Sequence, residues 1–186
     1  DLIQKEGATL VRHFKELAFM GFWEVLKHLP KILKNIAFCK NDILQFNPDV
    51  IIYVDYPGFN LRIAQWAKSK GFCNHYYISP QVWAWKENRV KKMKSCIDAL
   101  YVILPFEKTF FEDKHDFKVH FVGHPLMDYI PDFPRDPSFL NDLNLTLEKP
   151  IVALLPGSRS QEIRKMLPLF KQVADHFPSY QFVIAG

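Results

Sequence analysis

Apolar residues along this chain follow two rhythms. Short, nearly continuous runs rich in β-branched and aromatic residues recur at 49–54 (DVIIYV), 75–79 (HYYIS), 98–104 (DALYVIL), 118–122 (KVHFV), 151–155 (IVALL) and 181–185 (QFVIA). The first reads as a strand buried on both faces of a parallel sheet, and the others as further strands. Between them lie stretches with helical spacing, at about 60–70, at 105–112 with Pro105 opening it, and at 161–177. Strands alternating with helices predict an α/β architecture, a parallel doubly wound sheet with flanking helices.

The N-terminal part is helical in a different way. Residues 9–20 alternate apolar and charged positions, and from Phe22 onward Phe22, Leu26, Leu29, Leu33 and Ile36 recur at steps of four and three. Trp23, Val25 and Ile32 widen that stripe, while Lys27, His28, Lys31 and Lys34 occupy the opposite side. Pro30 implies either a second helix or a kink. A large apolar face backed by lysines describes an interfacial membrane helix, and equally a surface helix packed on a core. From 131 to 150 the composition shifts to PDFPRDPSFLNDLNLTLEKP, which predicts a connection between domains with one short helix near 137–143. The domain reading is therefore 1–135, a connection over 136–149, and the start of a second domain over 150–186.

Composition narrows the function classes. With 48% hydrophobic residues the chain has material for a core, and the net charge of +4 permits anionic ligands without demanding nucleic acid. The three cysteines, Cys39, Cys73 and Cys96, lack metal-ligand spacing and read as reduced thiols. No run is long and apolar enough to span a bilayer, and no signal peptide is recognisable. The chain starts at Asp1 without methionine and stops directly after a strand-like run, so a fragment of a longer protein is expected.

Candidate chemistry sits at the ends of the apolar runs. Asp55 ends the first run just before a turn containing Pro57 and Gly58, where open α/β sheets bind ligands, and is read as a catalytic base. Trp83 and Trp85 follow the second run in a loop leading to a basic segment, 86–94. They either cap the core or shape a pocket for a sugar ring or acyl chain, with nearby cations meeting phosphate. His124 falls just past the fourth run, and the sequence alone favours a structural role for it. Pro156-Gly157-Ser158-Arg159-Ser160 joins a strand to a helix start: glycine admits close backbone approach, free amides point outward, and Arg159 offers a fork of donors. It is neither a Walker A loop nor a GxGxxG turn.

Taken together, VDYPGFN (54–60), ISPQVWAW (78–85), LPFEK (104–108), FVGHPL (121–126) and LLPGSRSQEI (154–163), with ELAFMGFWEVL (16–26) upstream, resemble the lipid-A-disaccharide synthase family over essentially the whole chain. The resemblance implies a GT-B-like architecture of two Rossmann-like domains facing across a cleft. It implies an inverting glycosyltransferase of lipid A biosynthesis, joining UDP-2,3-diacylglucosamine to 2,3-diacylglucosamine 1-phosphate with release of UDP. No metal and no cofactor is implied, since the UDP-sugar is a substrate.

By the same resemblance Asp55 matches the family's essential aspartate and Arg159 its essential arginine, with Gly157 and Ser158 completing a UDP-sugar loop. The acceptor or acyl pocket is expected from Asn60, Ser79, Gln81, Trp83, Trp85, Arg89 and His124. Membrane contact is expected from Phe22, Trp23, Val25, Leu26, Leu29, Ile32 and Leu33. The implied setting is the cytoplasm, peripheral on the inner membrane of a Gram-negative bacterium, with a homodimer as a further expectation and no nucleic-acid partner.

Two departures stand out. Gly58 occupies a position where many members carry a second acid, and the chain lacks the family's first strand, its Gly-Glu-Ala-Ser-Gly-Asp loop and the later half of the nucleotide domain. A piece of this extent is expected to be inactive alone. The rival readings are a UDP-N-acetylglucosamine 2-epimerase-like enzyme and a non-catalytic nucleotide-sugar or membrane-binding module.

Overall fold

The computed structural model describes residues 2–11, 29–130, 134 and 136–185. The chain divides into two compact units, Asp1–Pro131 and Asp132–Gly186.

In the first unit a short helix α1 (Leu2–Lys5) precedes α2 (Leu29–Phe46), which feeds β1 (Val50–Val54). There follow α3 (Pro57–Ser69), β2 (Cys73–Tyr77), α4 (Arg89–Cys96), β3 (Ala99–Val102), α5 (Pro105–His115), β4 (His120–Phe121) and α6 (Leu126–Tyr129). The strands form one parallel sheet in the order β1-β2-β3-β4. Tyr53 pairs with Tyr76 and Tyr76 with Leu100, while Tyr101 pairs with His120.

The run at 49–54, expected to be buried on both faces, is covered on one face by the described residues of this chain. Crossovers between parallel strands are right-handed, so a sheet laid down in simple sequential order receives all its connecting helices on one side. The inward residues Tyr53, Tyr76, Leu100 and Val102 accordingly join Leu61, Ile63, Val90, Met93 and Phe111 in a single core. The alternate residues of β1 stay open: Ile52 is 64% exposed and Val54 51%. Continuous apolarity concealed a period-two pattern that only topology brings out.

Helix spacing explains the covered face. On α3 the buried positions are Leu61, Ile63, Ala64 and Ala67, and on α4 they are Val90, Met93 and Cys96, one stripe at steps of three. Asn74 is fully buried in β2 and ties the layers together. Its Oδ1 accepts from the Tyr53 hydroxyl at 3.0 Å, and its Nδ2 donates to the carbonyls of Ala64 at 3.0 Å and Cys96 at 2.9 Å. Each polar atom of that amide finds a partner, which is what makes its burial tolerable.

Element boundaries moved where turn chemistry competes. The helix expected from Asn60 begins at Pro57, because proline is well suited to a first turn. The strand expected at 75–79 lies at Cys73–Tyr77, since Ile78 takes a left-handed φ of 61° and the chain turns into Ser79-Pro80. The basic segment becomes helix α4 from Arg89.

The second unit contains α7 (Phe139–Asp142), β5 (Ile151–Leu154), α8 (Ser160–His176) and β6 (Gln181–Ile184), with β5 and β6 parallel. Gln181 laces the approach to β5: its Oε1 accepts from the Thr146 N–H at 2.8 Å, and its Nε2 donates to the carbonyls of Thr146 at 2.7 Å and Lys149 at 2.9 Å. Helix α8 carries no fully buried residue.

Of the expected membrane-contact residues, Phe22, Trp23, Val25 and Leu26 lie outside the described residues, and the side chain of Leu29 is likewise not described. Ile32 packs partly buried against the core, whereas Leu33 is 52% exposed. Among the described residues no helix is long and apolar enough to cross a membrane.

Candidate functional site

Parallel strands all point their carboxyl ends the same way, so the loops after β1, β2, β3 and β4 share one edge of the first unit. Asp55, the segment 79–89, residues 103–107 and His124 all belong to that edge.

Asp55 is held by its backbone and free at its side chain. Its φ is 44° and that of the next residue, Tyr56, is 45°, two successive left-handed residues without glycine. Such a conformation costs roughly 1–2 kcal/mol per residue and persists only where its surroundings enforce it. Here the Asp55 N–H donates to the Tyr77 carbonyl at 3.4 Å. Its carbonyl accepts from Asn60 Nδ2 at 2.7 Å and from the Tyr76 hydroxyl, while Asn60 Nδ2 also reaches the Val54 carbonyl at 3.1 Å. The Phe59 and Asn60 N–H groups donate to the Tyr56 carbonyl, starting α3 from the same turn. Asp55 itself is exposed to solvent.

Tyr76 was not among the expected site residues, because in sequence it is only an aromatic residue within a strand. It is fully buried, and burial is the main cause pushing its hydroxyl far above the ordinary tyrosine value. The Asn60 hydrogen bond works the other way, the Asp55 charge raises it further, and the Arg89 guanidinium lowers it. The phenol therefore remains a proton donor, and it meets Asn60 at the Asp55 carbonyl, to which both donate.

The loop after β2 separates residues that the sequence grouped. Ser79 is buried and donates to the Pro80 carbonyl at 3.1 Å, and Gln81 is exposed. Trp83 is half-buried, its indole N–H donating to Glu107 Oε1 at 3.3 Å and its ring edge-on to Phe106 at 4.9 Å. Trp85 is instead 59% exposed, with Lys86 Nζ 4.5 Å and the Arg89 guanidinium 5.4 Å from its ring centroid. Those distances suit cation–π attraction. The two readings of the tryptophans thus divide between them: Trp83 braces the fold and Trp85 faces outward. His124 is half-buried, and its Nδ1 accepts from the Leu126 N–H at 3.2 Å, a local turn contact.

In the second unit Gly157 has a φ of 101°, and a Cβ there would lie 2.5 Å from Glu162 Oε2. Both facts demand glycine. Glu162 folds back over the start of α8, accepting from the Arg159 N–H at 3.3 Å and from the Arg159 guanidinium at 2.8 Å. A carboxylate already rests on the amide and cation that the sequence reading assigned to diphosphate, which fits the anion preference of a helix N-terminus. Ser158 is exposed beside it. Among the described residues no group of three His, Cys, Asp or Glu side chains is placed to hold a metal ion. Cys39, Cys73 and Cys96 are unpaired thiols.

A model of the lipid-A-disaccharide synthetase family matches residues 1–183. The chain is 42% identical to lipid-A-disaccharide synthase of Idiomarina loihiensis, covering 98% of this chain and 49% of that protein. It is 37% identical to the same-named protein of Coxiella burnetii, again over 98% and 49%, and 40% identical to lipid-A-disaccharide synthase 1 of Legionella pneumophila, over 98% and 48%. The chain therefore spans about half the length of these curated relatives. Among solved structures it is similar to the S. aureus MnaA–UDP co-structure, with a TM-score of 0.57, 10% identity and coverage of 82% of this chain and 44% of that one. It is also similar to a putative UDP-N-acetylglucosamine 2-epimerase from Listeria monocytogenes, with a TM-score of 0.54, 10% identity and coverage of 90% and 47%. At that identity the likeness is one of fold, the GT-B-like α/β arrangement.

Proposed function

Because this chain belongs to the lipid-A-disaccharide synthetase family, we propose that the complete protein moves 2,3-diacylglucosamine from UDP to the 6-hydroxyl of 2,3-diacylglucosamine 1-phosphate. The observation that carries this reading is Asp55, an exposed acid on a strained turn whose own N–H and carbonyl are both engaged. Asp55 takes the proton of the acceptor 6-hydroxyl as that oxygen forms its bond to the sugar C1. The C1–O bond to UDP breaks on the opposite face, so the anomeric centre inverts. General-base assistance of this kind contributes about 10²–10⁴-fold. The leaving diphosphate carries negative charge, and Arg159 with the amides at the start of α8 supplies the positive counterpart. Glu162 then yields its place on Arg159 to the phosphate oxygens.

Trp85, Lys86 and Arg89 form the acceptor side in this reading, an aromatic face and cations suited to an acylated sugar phosphate. The exposed Leu33 is the one described member of the stripe that supports peripheral membrane contact, since Ile32 packs against the core. Replacing Trp23, Leu26, Leu29 and Leu33 by serine is expected to release the protein from phospholipid vesicles without unfolding it.

Product analysis with a radiolabelled UDP-sugar tests the function. A labelled lipid disaccharide with free UDP is the expected result, and epimerised free sugar without disaccharide sinks the proposal. The fold-level likeness to the putative 2-epimerase of Listeria monocytogenes supplies no separate support for that alternative, because a shared fold hosts different chemistries.

A further inference from the structure

We propose that Glu107 is a positioning residue for the acceptor side, holding the 79–85 loop in place through the Trp83 indole; this rests on the glycosyltransferase reading above. Glu107 is 1% exposed, an uncommon situation for a carboxylate. Its Oε2 accepts from the N–H groups of Ile103 at 3.1 Å and Leu104 at 2.9 Å, at the start of its own helix α5. That much is a helix cap, and a cap occupies one oxygen. The other oxygen, Oε1, reaches back to Trp83, 24 residues earlier in the chain. One buried carboxylate thus joins the loop after β2 to the loop after β3.

What this bond holds is a loop with little regular structure of its own. Val82 is buried, and local N–H bonds run from Val82 to the Pro80 carbonyl at 2.7 Å and from Ala84 to the Gln81 carbonyl at 3.2 Å. Beyond those turns, the Trp83 indole N–H and its edge contact with Phe106 provide the tie to α5. Two residues further on, Trp85 is exposed between Lys86 and Arg89. Fixing Trp83 fixes the direction in which Trp85, two residues on, is presented beside Arg89 at the start of α4. Glutamine cannot replace Glu107 here: it has one acceptor oxygen, and its NH₂ would face either the backbone N–H groups or the indole N–H.

The test uses the complete protein with Glu107→Gln, Trp83→Phe and the double variant. Trp83→Phe keeps an aromatic ring beside Phe106 and the α5 cap, and deletes the indole donor together with the second ring of the indole, so it remains informative if Glu107→Gln folds poorly. Hydrogen exchange of residues 79–86 is expected to accelerate about tenfold in either single variant, the size of one bond to a charged group. The KM for 2,3-diacylglucosamine 1-phosphate is expected to rise about tenfold with the KM for the UDP-sugar unchanged. The double variant should be no worse than Glu107→Gln alone, since both changes cut one link.

A Glu107 that only caps α5 would lower the melting temperature of Glu107→Gln while leaving Trp83→Phe at wild-type exchange and acceptor KM. That result overturns the proposal. If the wild-type protein makes no lipid disaccharide, the glycosyltransferase reading falls, and unaccelerated exchange in both variants separately removes the tether.

Discussion

The hydroxyl of Tyr76 donates to the backbone carbonyl of Asp55, so a buried side chain on β2 fixes the turn that ends β1. The two strands pair in parallel with Tyr53 opposite Tyr76 and Val54 opposite Tyr77, which brings the phenol beneath the turn. Asn60 Nδ2 reaches the same carbonyl from the first turns of α3. A strained pair of left-handed residues is thus pinned from the sheet below and from the helix beyond.

Tyr76→Phe deletes one of the two bonds to that carbonyl and leaves Asn60 in place, so no buried acceptor is orphaned. The expected cost is about 1 kcal/mol in stability, read by denaturant unfolding. Turnover of the complete protein is expected to fall about tenfold through slight misplacement of the base, with substrate KM values unchanged. Wild-type turnover would show that the turn keeps its geometry without the phenol.

Asp55→Asn retains the shape of the turn and removes the proton acceptor. Turnover is expected to drop by about 10²–10⁴-fold while UDP-sugar affinity, measured by calorimetry, survives. Near-normal turnover would exclude Asp55 as the base.

Gly157→Ala places a Cβ into the Glu162 carboxylate at a backbone angle that favours glycine. A stability loss of more than about 1 kcal/mol is expected, together with weakened UDP binding. Arg159→Ala should weaken UDP binding about tenfold or more without that structural penalty, because it removes a charge-assisted contact. Unchanged UDP affinity in both would move the diphosphate site elsewhere.

Asp98 supplies a pH signature of the fold. Burial works to raise its carboxyl, but the Lys68 ammonium and the Asn74 N–H at 2.8 Å outweigh that and hold it below the ordinary carboxylate value. A folded value below the unfolded one contributes stability above about pH 3.9, and that contribution is lost as the pH falls through the folded value. With side chains 44% and 32% exposed the pair is well screened, so Asp98→Asn is expected to cost about 1 kcal/mol at neutral pH. Urea titrations at pH 7 and at acid pH check this, and the gap between variant and wild type should close at acid pH.

The alternation of apolar runs with helical spacing was enough to predict a parallel α/β chain, the strand ending at Asp55 and the glycine loop before Arg159. These are local signals, carried by β-branched runs, turn residues and a strand-to-helix step, so neighbouring residues suffice to write them. The loop motifs also sufficed for the family. The uncovered face of β1, with Ile52 and Val54 exposed, was not legible in this way. An apolar strand looks the same in sequence whether one face or two are covered.

Nor did composition distinguish Trp83 from Trp85, two residues apart in one loop. Trp83 is spent on Glu107, and Trp85 stands open between cations. Tyr76 and Glu107 were missed for the same reason. A buried tyrosine and a helix-cap glutamate are ordinary in sequence, and they gain their roles from partners that lie 21 and 24 residues away along the chain. Local signals along the chain were enough for the alternation of strands and helices and for the family. Tertiary structure decided which backbone and loop the Tyr76 and Glu107 side chains are anchored to, because hydrogen bonds between strands and loops depend on distances that only the folded sheet establishes.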